Sequence, residues 1–161
     1  RHPTHCRPPM DSLATLATVL QHAQTERDQA LAALRQAEAA AKAAHQQHEQ
    51  LHSYRGEYRE RWTQRFRQQG TVELLHCYQG FAGRLDQAIT LQNQSADQAD
   101  VRLQKARELL LAKEQRMAAV GKLIERRRTE LQRINERREQ RQTDETASRL
   151  GHARREASLH P

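Results

Sequence analysis

An all-α fold, built as a long two-helix antiparallel coiled-coil hairpin, is predicted by three features of the sequence. All four prolines lie at the ends (Pro3, Pro8, Pro9 and Pro161), so residues 10–160 lack the strongest helix breaker. Ala, Gln, Glu, Arg and Leu fill that span, while the β-branched and aromatic residues that strands prefer are scarce. Apolar residues recur at alternating steps of three and four, the period of a coiled-coil seam.

The chain opens Arg-His-Pro, and Met10-Asp11-Ser12 reads as a natural start followed by a helix cap. Residues 1–10 are therefore expected to be a disordered extension. From Leu13 the three-four stepping reaches Arg65, and 12 of its 16 positions are apolar or aromatic. A first helix over about residues 12–67 follows. Gln68-Gln69-Gly70-Thr71 then interrupts the pattern, with Gly70 suited to a helix C-cap and Thr71 to the next N-cap. The stepping resumes at Leu75 and runs to Ile134 with 15 of 18 positions apolar. Gly80 and Gly83 each cost about 1 kcal/mol relative to Ala inside a helix, which predicts a turn and a separate short helix or kink over 68–83. The second long helix is then expected over 84–145, and residues 148–161 as a frayed tail.

Helices joined by a short connection fold back on each other, so residues whose numbers sum to about 142 should face across the seam. Tyr58 is matched with Leu85, Leu51 with Ile89 and Gln92, and Leu20 with the Leu123 region. A helix of about 55 residues makes a rod about 80 Å long with both termini at one end. Alanine on both strands in the middle of the seam brings the helices close but buries little area, which predicts modest stability and mobility there.

Composition narrows the function. Of 161 residues 36% are hydrophobic, but 23 of those are alanine, leaving too little bulky side chain for the thick core of a globular enzyme. The net charge of +7 is concentrated at the ends: +2 over residues 1–10 and +3 over 123–157, against +1 for each stretch between. Such a balance suits an acidic partner. No apolar run approaches the roughly 20 residues of a transmembrane helix, so a soluble, cytoplasmic protein is expected. Cys6 and Cys77 have no paired spacing and are expected as reduced thiols.

His48-Glu49-Gln50-Leu51-His52 matches the H-E-x-x-H signature of zinc proteases. A catalytic zinc also needs a third protein ligand and a walled cleft, neither of which a two-helix rod supplies. The His45, His48 and His52 group is accordingly read as a polar strip able at most to hold stray metal, and neither catalytic residue nor metal nor cofactor is assigned. Arg126-Arg127-Arg128, continued by Arg133, Arg137, Arg138 and Arg141, is similar to a nucleic-acid-binding helix. Carboxylates at Glu125, Glu130, Glu136, Glu139, Asp144 and Glu145 are interleaved with it and repel phosphate. The segment reads first as a solvated or protein-docking end.

The six aromatics all lie between residues 54 and 81: Tyr54, Tyr58, Trp62, Phe66, Tyr78 and Phe81. Tyr58, Trp62 and Tyr78 fall on the seam and suit a plug at the hairpin tip. Tyr54 and Phe81 fall off it and suit exposed docking anchors.

Gln47, Leu51, Tyr54 and Tyr58, within Q-H-E-Q-L-H-S-Y-R-G-E-Y, and Phe81, Leu85, Ala88 and Gln92, within F-A-G-R-L-D-Q-A-I-T-L-Q, resemble the FliJ family of flagellar export proteins. The resemblance spans about residues 10–147 and includes K-L-I-E-R-R-R and R-R-E-Q-R-Q-T-D-E. It implies a non-enzymatic, cytoplasmic stalk of the flagellar type III export apparatus, peripherally associated with the membrane at the flagellar base. The partners it implies are the export ATPase hexamer, the cytoplasmic domain of the export-gate membrane protein and export chaperones. The two stripes named above correspond to the family's gate contact, while the basic end with Arg126, Arg127 and Arg128 is expected to meet the ATPase ring. The alternatives are the stalk of a virulence type III secretion system and a nucleic-acid-binding coiled coil.

Overall fold

A computed structural model describes the backbone of residues 10–158 and the side chains of residues 13–155. Two helices account for it, α1 over Met10–Gln68 and α2 over Val72–Ser158. The three-residue turn between them is built as its residue types dictate. The Gln69 amide donates to the Arg65 carbonyl at 2.9 Å, closing α1. Thr71 caps α2: its hydroxyl accepts from the Leu74 amide at 3.3 Å and its carbonyl from Leu75 at 3.2 Å. Arg65 and Arg67 in the last turn of α1 and Glu73 in the first turn of α2 complement the helix dipoles.

Four expectations about the ends and the turn require correction. Helix α1 starts at Met10, one to two residues ahead of the expected cap, and the side chains of Asp11 and Ser12, like Cys6 and the extension over residues 1–9, lie outside the described residues. Gly70 does not take the left-handed conformation of a glycine C-cap. Helix α2 runs unbroken through Gly80 and Gly83, where the predicted short helix or kink would have ended, because the rings of Tyr78 and Phe81, which flank Gly80 and precede Gly83, pack across to α1 and outweigh the glycine cost. The helix also continues past residue 145 to Ser158, since nothing in Gln-, Arg- and Glu-rich sequence before Pro161 stops it.

The chain divides into two compact units. The unit spanning residues 26–114 is the hairpin proper, in which α1 and α2 run antiparallel on either side of the turn. Its core is made of Ala30, Ala41, Leu85 and Ala96. Cross-helix partners lie near the predicted register: Arg55 with Asp86, His45 with Asp100, and Lys113 with Glu26 at 3.3 Å. Gln92, on the seam, donates its side-chain amide to the Ala44 carbonyl at 3.1 Å.

In the other unit, residues up to 25 of α1 pack on α2 from residue 115 onward. Among its described residues Ala23, Val120 and Ile124 are buried. Leu20 shares a groove with Gly121 and Ile124, while Leu123 is half exposed and turns away from the seam. Leu131 is the last part-buried residue, and every described side chain from 132 to 155 is exposed. Over those residues α2 runs past the described part of α1, supported by local pairs such as Gln132 with Glu136 at 3.2 Å.

Candidate functional site

At the tip of the hairpin unit the six aromatics form one connected cluster. Tyr58 is its hub. Its ring lies 4.4 Å from Phe81, 5.7 Å from Tyr78 in a stacked arrangement, 5.8 Å from Trp62 and 6.4 Å from Tyr54. Trp62 and Tyr78 both reach Phe66, which closes the cluster toward the turn. Steps of four place Tyr54, Tyr58, Trp62 and Phe66 along one side of α1, opposite Tyr78 and Phe81 of α2. Offset and edge-on contacts of this kind add stabilisation beyond the area they bury.

The predicted gate residues separate by burial. Tyr54 is 42% exposed and meets Phe81 edge-on at 6.5 Å. Phe81, expected as an exposed anchor, is half-buried beneath the Tyr54 and Tyr58 rings. Leu51, Tyr58, Ala88 and Gln92 are half-buried, Gln47 is exposed, and Leu85 is buried at 7%. The fold therefore brings Tyr54, Tyr58 and Phe81 into direct ring contact and seats Leu85 beneath them in the seam. Gln92 is turned inward to the Ala44 carbonyl.

Two grooves flank the cluster, and Tyr58 lines both. One, of about 400 Å³, runs past His52, Gly56, Tyr78, Ala82 and Leu85 and is bordered by the Arg55–Asp86 ion pair. The other, of about 510 Å³, is bordered by Tyr54, Trp62, Arg61, Arg65 and Gln68. The Arg65 guanidinium lies 5.8 Å from the centre of the Trp62 ring, and Arg61 is paired with Glu57 at 3.1 Å. Sequence reasoning missed these polar borders, although both left signals. Arg55 and Asp86 are opposite charges at matched positions across the seam, and Arg61, Arg65 and Gln68 continue the stripe Gln47, Leu51, Tyr54, Tyr58 in unbroken three-four steps.

The three arginines assigned to the basic end do not share a face, because consecutive helical residues are turned about 100° apart. Arg127 is half-buried and paired with Glu130 at 2.6 Å. Arg128 borders the groove over Leu13 and Ile124, and Arg126 lies beside Arg133, Ile134 and Arg137. His45 bonds Asp100 across the seam, with Nε2 2.9 Å from both carboxylate oxygens, while the His48 and His52 rings sit 6.3 Å apart. Among the described residues no group of three His, Cys, Asp or Glu side chains gathers to hold a metal ion.

The family model described as flagellar FliJ protein matches residues 12–156, through both helices and the turn. The chain belongs to the FliJ family. Neither a curated protein nor a solved structure matches it significantly. FliJ membership makes the chain a component of the flagellar export apparatus, from a family of structural export components. Among the described residues no helix is long and apolar enough to cross a membrane.

Proposed function

We propose that this FliJ chain is the stalk that links the export ATPase ring to the export gate and also meets export chaperones, working by transmission of binding free energy without covalent chemistry. It acts in the cytoplasm at the flagellar base. The gate contact is the tip patch formed by Tyr54, Tyr58 and Phe81, with Gln47, Leu51, Ala88 and Gln92 along its flank and Leu85 holding the helices beneath it. The observation that carries this reading is the half-exposed Tyr54 ring set edge-on against Phe81. A plug alone has no use for a ring left in water, whereas docking sites concentrate their energy in a few aromatics of this kind. The basic segment of the other unit, with Arg126 and Arg128 exposed, is suited to an acidic surface on the ATPase ring.

The test separates docking from packing. Tyr54→Ala is expected to leave thermal unfolding nearly unchanged and to weaken binding of the purified gate domain by on the order of 2 kcal/mol. Leu85→Ala should lower both. Loss of stability without loss of binding in Tyr54→Ala would return the cluster to a structural plug. Arg126→Glu with Arg128→Glu is expected to reduce stimulation of the ATPase at low salt, with helix content intact; unchanged stimulation would remove the basic end from the ring contact.

A further inference from the structure

The turn itself carries a second surface. Val72 is 68% exposed and Leu75 43%, directly beyond the half-buried Phe66 and Trp62. Between residues 57 and 76 lie four arginines (Arg59, Arg61, Arg65 and Arg67) and three glutamates (Glu57, Glu60 and Glu73), Glu57 being the partner of Arg61. We propose that the apex of the hairpin, Val72 and Leu75 backed by Trp62, Phe66 and the Arg61–Arg65 groove, docks on the surface of an anionic phospholipid bilayer. Because gate protein plays no part in it, the contact does not rest on the gate reading.

Shape favours lipid over protein. Val72 opens α2 after a turn of only three residues and Leu75 lies one helical turn on, so the two exposed apolar side chains sit within the first turn of the helix, beside the end of the hairpin, and offer a partner helix little length to lie along. A fluid interface closes around such a point. The chemistry behind the point is graded as an interface is graded. Apolar Val72 and Leu75 come first, then the rings of Phe66, Trp62 and Tyr78, whose amphipathic faces suit the headgroup level. Arginines follow, with stems long enough to lie along the rings while their heads reach phosphate. The Arg65 guanidinium carbon lies 5.8 Å from the centre of the Trp62 ring, a cation–π contact that keeps the charge beside the ring. Two exposed aliphatic side chains are too few to hold a protein on a membrane alone, and basic residues supply the second signal that such anchoring needs.

Trp62 is the chain's single tryptophan and reports directly on the contact. The full-length chain is titrated with phosphatidylcholine vesicles, with or without about one-third phosphatidylglycerol, while Trp62 emission and flotation are followed. Expected is a blue shift with the anionic vesicles only, abolished by the double variant Val72→Asp, Leu75→Asp. Arg61→Gln with Arg65→Gln should weaken vesicle binding on the order of twentyfold, from about fivefold per arginine near an anionic surface. Helix content measured on each variant shows that the fold is kept, and Asp is tolerated in the first turn of α2. Flotation without a Trp62 shift would mean that the basic segment of the other unit does the binding and would overturn the proposal. A shift that survives the Asp variant, or that soluble polyglutamate produces equally well, would overturn it in favour of an acidic protein partner.

Discussion

Around Ala41 and Ala96 the buried side chains of the hairpin unit are single methyl groups, at 4% and 1% exposure; around Tyr58 and Tyr78 the helices meet through rings that stay half exposed. The first region encloses its side chains almost completely but has little apolar surface to remove from water. The second has a great deal of surface and encloses it incompletely. Hydrophobic stabilisation scales with the area buried, so the tip is expected to hold the hairpin together more strongly than the better-sealed alanine stretch. Sealing determines something else, namely how much change a position tolerates. Methyl-to-methyl packing leaves no slack, whereas a cluster bordered by grooves can adjust, and only the latter can also present a surface to a partner.

The largest effect that would break this contrast is at Leu85, which is buried at 7% under the aromatic cluster. Leu85→Ala is expected to lower unfolding stability by about 3 kcal/mol, in the range of buried leucine truncations, as read by urea unfolding. A loss below about 1 kcal/mol would mean that the rings hold the tip without the leucine beneath them, and that area is not what distinguishes the two regions.

The alanine stretch is tested in the opposite direction, by adding volume. Ala96→Leu must insert three carbons at a position only 1% exposed and is expected to destabilise by about 2 kcal/mol. Ala39→Leu, on the exposed side of α1, serves as the control and should change stability by less than about 0.5 kcal/mol. Equal tolerance at both positions would show that the helices can move apart at the alanine seam.

The seam was legible in the sequence because its three-four stepping carries the burial pattern directly. On α1 every stepped position except Arg55 and Arg65 is buried or half-buried, and on α2 every one except the terminal Leu75 and Ile134. Register followed from the turn, as the Arg55–Asp86 and His45–Asp100 pairs illustrate. What periodicity could not supply lies off the seam. The cover over Phe81 depends on which way the Tyr54 and Tyr58 rings turn, and the stretch of α2 beyond residue 131 depends on helix propensity where no described part of α1 lies beside it. The predicted break at Gly80 and Gly83 failed for a related reason: a local glycine cost was weighed without the cross-helix rings that offset it.

That last point yields the smallest and most discriminating measurement. A Cβ built on Gly80 or Gly83 meets no side chain within 4 Å, and neither residue has positive φ. Neither glycine is therefore required by a close approach or a special conformation, and each only lowers the helix-forming tendency of α2 beside the aromatic cluster. Gly80→Ala and Gly83→Ala are each expected to raise stability by about 0.5–1 kcal/mol, measured by thermal unfolding. Gly70→Ala should not, because its Cβ would stand 3.3 Å from the Phe66 carbonyl oxygen in the turn. If Gly80→Ala or Gly83→Ala instead destabilised the hairpin, α2 would have to depart from regular helix near the tip, and ring packing would no longer explain why the helix runs through both glycines. A gain at both positions would show that the cluster holds a locally weak helix in place, and would locate slack in the tip in its backbone as well as in its grooves.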